Sequence, residues 1–136
     1  MILISDYFFY DLKARFPDDN IIAFPVRGNP QSFAMLMPVQ ANPSRYYTNS
    51  QANISIIIQG IDARSSLELA TSIYDRYRDQ VNLTLTLPTS YQVGVLPRSI
   101  ICKYISPVDR PVPLGDVDNG RFQYSLNFFV QLGGQE

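Results

Sequence analysis

The chain has 136 residues, a formal net charge of −1, no histidine and one cysteine. We expect one domain over residues 1–136, because a chain of this length buries about two-thirds of its surface in a single core. The scattered basic residues and near-neutral charge argue against a nucleic-acid partner. The lack of histidine and of a second cysteine excludes intramolecular disulfides, imidazole catalysis and the usual zinc sites. No stretch reaches the roughly 18 apolar residues of a membrane span, so we expect no membrane partner.

The first predicted element is a short amphipathic helix. It runs from Ser5 to Phe16, with large apolar residues at four-residue spacing and Ser5 as a candidate N-cap. A strand over Ile21–Arg27 follows. The sequence Gly-Asn-Pro after that strand favours a turn, so we expect residues 32–40 to be its hairpin partner.

Residues 40–52 form a polar, turn-rich segment for which we predict a long loop. Tyr46 and Tyr47 stand together in it with no local explanation. An anchor for a partner is at least as good an interpretation of this pair as local packing. We expect such a loop to become ordered only against a neighbour.

A strand followed by a helix makes the middle of the chain. Consecutive isoleucines in Asn53–Gly60 predict a strand at the centre of a sheet. The helix comes next, and Ser65 and Glu68 have the spacing of a capping box. Its apolar stripe is expected to comprise Leu67, Ala70, Ile73, Tyr74, Tyr77 and Val81.

Arg76 and Arg78 flank Tyr77 near the end of this helix, between two aspartates. One interpretation is a solvated helical face with local ion pairs. The other is a contact between subunits, because arginine and tyrosine are enriched at protein interfaces. Both interpretations stay open from the sequence, and the two arginines are candidate interface residues.

The last third of the chain predicts strands. Alternating leucines predict a strand over Val81–Leu87, a second strand covers Ser99–Ser106, and the proline-rich residues 107–120 predict a stiff loop. The final strand covers Arg121–Leu132. Helix, strands, helix and strands in this order indicate an α+β fold: a mostly antiparallel sheet with two helices packed on one face, in a single domain.

The final strand alternates without interruption, apart from one residue. Phe122, Tyr124, Leu126, Phe128, Val130 and Leu132 fall on one face. Phe129 is the large apolar residue on the otherwise polar opposite face. We therefore interpret Phe129 as a candidate contact with a neighbouring subunit.

Nothing in the sequence predicts catalysis. Cys102 alternates onto the face of Ile100 and Tyr104, where a cysteine is a small hydrophobic residue, and no histidine is available to activate it. The adjacent or near-adjacent aspartates lie in turn-rich sequence, where aspartate bonds its own backbone. We expect no enzyme activity, no cofactor and no metal site.

The order of elements resembles a known family. The strand ISIIIQG runs into the helix ARSSLELATSIYDRY, and NGRFQYSLNFFVQ later delivers the final strand. This arrangement resembles the small tail terminator, or minor capsid neck, proteins of long-tailed bacteriophages over roughly residues 54–131. The resemblance implies a homohexameric ring that caps the tail tube, stops its polymerisation and contacts the head–tail connector. It also implies assembly in the host cytoplasm and a final location in the virion.

Two other classes of function remain open. Another head–tail connector or baseplate component would share the fold and composition. A small-molecule-binding α+β domain is the third possibility, and it would require a pocket with perturbed carboxylates.

Overall fold

The fold is described from a computed structural model, which describes residues 4–22, 32–36, 51–88, 99–116 and 120–135. These segments contain two helices, α1 (Ile4–Arg15) and α2 (Ala63–Tyr77). Seven strands accompany them: β1 (Ile21–Ile22), β2 (Phe33–Leu36), β3 (Gln51–Gly60), β4 (Gln80–Thr86), β5 (Ser99–Pro107), β6 (Val112–Asp116) and β7 (Phe122–Gln135).

The strands form one sheet in the order β1-β2-β3-β7-β5-β4, with β6 paired to β7 beside this path. All pairings are antiparallel except β1 with β2. Aromatic contacts place both helices on the same face: Tyr77 of α2 meets Phe128 of β7 on one side and Phe8 of α1 on the other. The predicted α+β class, with a mostly antiparallel sheet, is confirmed.

The strand β7 organises the sheet. Its partner on one edge is β3, which pairs with it from Gln51↔Gln131 to Gly60↔Phe122. The other edge is shared, because β6 pairs with the first part of β7 and β5 with the rest. The prediction that β3 lies inside the sheet is correct, since it is flanked by β2 and β7.

The helix-covered face of the sheet carries the core. Its strand residues alternate with outward-facing ones, as a half-buried sheet requires. The buried strand residues on this face include Ala34, Leu36, Ile54, Ile56, Ile58, Leu85, Ile100, Cys102, Ile105, Leu126, Phe128, Val130 and Leu132. The helices supply Tyr7, Phe8, Leu12, Ala70, Ile73 and Tyr77 to the same cluster.

The start of α2 is fixed by a cap and by close packing. Asp62 is the N-cap, because its carboxylate accepts a 2.7 Å hydrogen bond from the Ser65 N–H. This bond lowers the pKa of Asp62. The predicted capping box of Ser65 and Glu68 therefore begins three residues too late. The Ser66 hydroxyl lies 2.6 Å from the carbonyl oxygen of Phe122, which ties α2 to β7.

Gly60 allows this approach between β3 and α2. A Cβ on Gly60 would lie 2.6 Å from the backbone nitrogen of Ser66 and 2.9 Å from its Cα. Backbone atoms cannot rotate away as a side chain can. Any larger residue at position 60 therefore forces the strand and helix apart.

A polar cluster joins the two helices. Asp11 of α1 accepts hydrogen bonds from the Tyr77 hydroxyl at 2.6 Å and from Arg76 at 3.1 and 3.3 Å. Burial, followed by the charge of Asp11, raises the pKa of Tyr77 well above its ordinary value. The buried phenol is therefore neutral, and its hydroxyl donates a hydrogen bond to the carboxylate.

The predicted hairpin at residues 21–40 is wrong in orientation. The described part of that segment consists of β1 and β2, which pair in parallel with Ile21 opposite Ala34. The Ala34 N–H bonds the Asn20 carbonyl at 2.9 Å, and the Asn20 side chain bonds the Ser32 carbonyl at 3.0 Å. A turn signal between two strands does not by itself set their relative direction, and the register and backbone bonds of the described residues make β1 and β2 parallel neighbours.

The predicted loop over residues 107–120 is also wrong in part, because β6 lies within it. Val112 pairs with Ser125 and Asp116 with Phe122, with an irregularity between Pro113 and Gly115. Gly115 has φ +108, a conformation that glycine adopts without strain. Prolines at positions 111 and 113 obscure the strand in the sequence, yet proline is compatible with a strand that pairs on one side.

Candidate assembly surface

Phe129 lies on the face of β7 away from the helices, as the sequence predicts. It is half-buried, and its cross-strand neighbours are Asn53 on β3 and Ser106 on β5. Residues directly opposite each other on neighbouring strands share a face. The ring of Tyr104 stacks beside that of Phe129, with centroids 5.9 Å apart.

Tyr104 reaches this outer face because β5 is irregular. Cys102 pairs with the buried Leu132, whereas Tyr104 pairs with Gln131, so two steps along β5 match one step along β7. Such a bulge inserts one residue and exchanges the faces beyond it. The prediction that Tyr104 shares the face of Cys102 is therefore wrong: Cys102 is buried and Tyr104 is 43% exposed.

Val81 extends the same surface to the edge of the sheet. It pairs with Tyr104 and is 69% exposed. The next residue, Asn82, has φ +54, which interrupts the regular alternation of β4. Val81 was expected in the apolar stripe of the second helix, but α2 ends at Tyr77 and Val81 lies in β4.

A fourth residue, Val108, adjoins this surface. The Val108 N–H bonds the carbonyl of Asn127, two residues from Phe129 on β7, and Val108 is 57% exposed. We refer to Val81, Tyr104, Val108 and Phe129 as the Phe129 patch.

The outer face around the patch carries no charge on its two central strands. The outward residues of β3 and β7 are Gln51, Asn53, Ser55, Ile57, Gln59, Gln123, Ser125, Asn127, Phe129 and Gln131. Several of them bond one another, as in Ser55 to Asn127 at 2.8 Å and Gln123 to Gln59 at 2.9 Å. The uncharged outward residues of β3 and β7 beside the rings of Phe129 and Tyr104 have the composition of an interface core.

A second group of exposed hydrophobic residues surrounds the Phe122 end of β7. Ile61 directly follows Gly60, which pairs with Phe122. Leu67 directly follows Ser66, whose hydroxyl bonds the Phe122 carbonyl. Leu114 lies in β6, two residues before Asp116, which pairs with Phe122 from the other side of β7. We refer to Ile61, Leu67 and Leu114 as the Phe122 patch. Sequence reasoning placed Leu67 in the core and did not single out the other two.

The two candidate arginines lie in different environments. Arg76 bonds Asp11 and stacks over Tyr77, so its guanidinium links α2 to α1. Arg78 is exposed at the end of α2, 3.7 Å from Asp75 and over the ring of Tyr74. The local ion pair expected in this sequence is thus present for Arg78. An interface role for either arginine stays a prediction, and Tyr46 and Tyr47 lie outside the described residues.

The described segments contain no group of three or more histidine, cysteine or acidic residues placed to hold a metal ion. Neither α1 nor α2 is long and apolar enough to cross a bilayer. Cys102 is fully buried, and burial raises the pKa of its thiol to about 12. A protonated, inaccessible thiol is a poor nucleophile.

The fold is similar to that of a solved protein chain. A chain in the structure described as "Virion of native gene transfer agent (GTA) particle" superimposes with a TM-score of 0.54 and 14% sequence identity, covering 90% of this chain and 84% of that one. No family model and no curated protein matches the sequence. At this identity, the likeness shows a shared fold across nearly the whole chain.

Proposed function

We propose that this protein is a structural component of a phage-like virion that forms a ring at the end of the tail tube. The observation that carries the proposal is the fold shared with a chain of a gene transfer agent virion, which extends over 90% of this protein. Fold alone does not assign function. The surface supplies the second support, because the uncharged outward residues of β3 and β7 beside the exposed ring of Tyr104 suit a protein that works by contact.

The finer assignment is a tail terminator. In this role a homohexameric ring binds the last ring of tail tube protein, ends polymerisation and presents its other side to the head–tail connector. The sequence resemblance to tail terminators and the virion fold support this role together. The protein carries out no catalytic step in it and requires no cofactor, and its final location is the tail or neck of the virion.

The test is assembly with and without tail tube protein. Sedimentation velocity over a range of concentrations, followed by negative-stain microscopy, should show a closed ring, with six subunits as the expectation. Tail tube protein polymerised with the ring should give shorter tubes that carry the protein at one end. A protein that is monomeric under every condition, alone and with tube protein, contradicts the proposal. Rings that bind connector protein but leave tube length unchanged would instead indicate a connector component.

A further inference from the structure

The strand β6 buries none of its side chains. Its residues, Val112–Asp116, are half-buried or exposed, and none of them belongs to the hydrophobic core. Leu114, the largest apolar residue among them, is 52% exposed. The neighbouring strand β5 differs, because it contributes Cys102 and Ile105 to the core. Detaching β6 therefore exposes little apolar surface, whereas detaching β5 would open the core.

The backbone of β7 bonds its two neighbours alternately. The Val108 N–H bonds the carbonyl of Asn127, so the backbone groups of Asn127 point toward the edge that β5 and β6 share. Along an antiparallel strand this direction alternates from residue to residue. Gln123 and Ser125 therefore bond toward β6, and Leu126, between Ser125 and Asn127, bonds toward β3.

The pairing of β6 with β7 is short and irregular. Its register shifts between Pro113 and Gly115. Pro113 has no N–H to donate, and Gly115 has φ +108. On the other edge of β7, β3 pairs without a register shift over Gln51–Gly60. Among the described strands, β6 has no neighbour except β7, so an interrupted set of backbone bonds is what holds it in the sheet.

We propose that β6 is a strap that detaches from β7 while the rest of the sheet stays folded. In the closed state β6 satisfies the backbone groups of Gln123 and Ser125. In the open state these N–H and C=O groups form an unpaired sheet edge, the kind of edge to which a further strand can add. The core is the same in both states, because no residue of β6 belongs to it. The strap does not depend on the proposed ring.

Hydrogen exchange of individual amides, followed by NMR, tests the strap on the unmodified protein. Ser125 and Leu126 are adjacent on β7 but bond opposite neighbours, so Leu126 is an internal control. The protection factors of Gln123 and Ser125 should be about 100-fold or more below that of Leu126, because they exchange through an opening smaller than global unfolding. Their exchange should also be insensitive to low concentrations of urea, since the opening exposes little surface, whereas exchange at Leu126 should accelerate.

A disulfide between positions 112 and 125 should keep the strap closed. Val112 and Ser125 lie opposite each other, and opposite residues of an antiparallel pair have Cα atoms about 5.5 Å apart, which suits a disulfide. In oxidised Val112→Cys/Ser125→Cys, exchange at Gln123 should slow and become as sensitive to urea as exchange at Leu126. Reduction should reverse both changes, and the reduced form is the matched control because its sequence is identical. The native thiol of Cys102 is buried and does not compete for the bond.

Either of two results would overturn the strap. Equal protection and equal urea sensitivity at Ser125 and Leu126 would show that β6 leaves β7 only when the whole sheet unfolds. Exchange at Gln123 that stays fast and insensitive to urea in the oxidised variant would show that the opening is not a detachment of β6. Neither result bears on ring assembly, so the strap and the proposed function fail separately.

Discussion

Adjacent phenylalanines on β7 have different surroundings because the sheet has two different faces. Phe128 points toward the helices, is 1% exposed and contacts the rings of both Tyr74 and Tyr77. Phe129 points the other way, is half-buried and touches the ring of Tyr104. The same residue type thus contributes to stability on one face and is available for assembly on the other.

Charged residues are also distributed differently on the two sides of the sheet. The exposed side of α2 carries ion pairs, such as Arg64 with Glu68 at 3.2 Å, whereas the outward residues of β3 and β7 are uncharged. Exposed ion pairs contribute little to stability but keep a surface hydrated. The ion-paired part of α2 is therefore suited to solvent, and the outward residues of β3 and β7 are suited to a protein partner. This contrast indicates where stability and assembly can be altered separately.

The largest expected effect comes from the pair Phe128→Ala and Phe129→Ala, which delete the same ring from opposite faces. Phe128→Ala should lower the free energy of unfolding by about 3–5 kcal/mol, because it opens a cavity in the core. Phe129→Ala should cost about 1 kcal/mol, since it loses one aromatic contact and little burial. Urea unfolding of both variants measures the difference, and sedimentation of Phe129→Ala should show weaker assembly. Equal losses of stability would show that the outer face is also covered within the subunit.

A second, smaller effect should come from the cluster that joins the two helices. Asp11→Ala leaves the buried hydroxyl of Tyr77 without its acceptor and removes the partner of Arg76, and it should cost about 2–3 kcal/mol. Tyr77→Phe removes the hydroxyl together with its need for a partner, so it should cost less. Chemical denaturation of the two single variants and the double variant gives the coupling energy.

Substitutions in this cluster also test whether stability can be lowered without changing assembly. The cluster lies at the opposite end of α2 from Leu67 and on the opposite side of the sheet from Phe129, so neither Asp11→Ala nor Tyr77→Phe should change ring assembly at temperatures where the variant is folded. Assembly lost in a folded Tyr77→Phe variant would show that this end of α2, which carries the candidate interface residue Arg76, takes part in subunit contacts.

The strand and helix periodicities predict most of the fold, and the errors occur where backbone geometry is set by neighbours. The alternation in residues 121–132 correctly assigned Phe128 to the core and Phe129 to the outer face, because a regular strand has a strict period of two. The same logic failed for Tyr104 and Val81, where a bulge and a residue with positive φ exchange the faces. A bulge depends on the pairing of two strands, so no single strand's sequence reveals it.

The candidate surface was accordingly predicted only in part. Phe129 was identified as an outward aromatic, but its companions Tyr104 and Val81 were assigned to the opposite face. The signal for the Phe122 patch was weaker still, because Leu67 fits a helical stripe and Leu114 stands among prolines. The pairing of β6 with β7 and the bond from Ser66 to the Phe122 carbonyl place Leu114 and Leu67 near the same end of β7.

The smallest expected effect concerns Cys102, the one thiol, on the helical side of β5. The pKa of its thiol is raised to about 12 by burial, so the folded protein keeps the proton at pH values where the unfolded chain loses it. The contribution of Cys102 to stability is therefore complete below pH 9 and declines as the pH rises from about 9 toward 12. Between pH 8 and pH 10 this loss should be about 1 kcal/mol. Cys102→Ala should remove that component of the pH dependence, which urea unfolding at both pH values measures.

A thiol reagent offers an independent check of the burial of Cys102. The reagent should modify Cys102 only as fast as the protein opens, whereas a Val81→Cys thiol on the exposed outer face should react at once. Rapid modification of Cys102 in the folded protein would mean that the helical side is open to solvent, and the contrast between the two faces would then be lost.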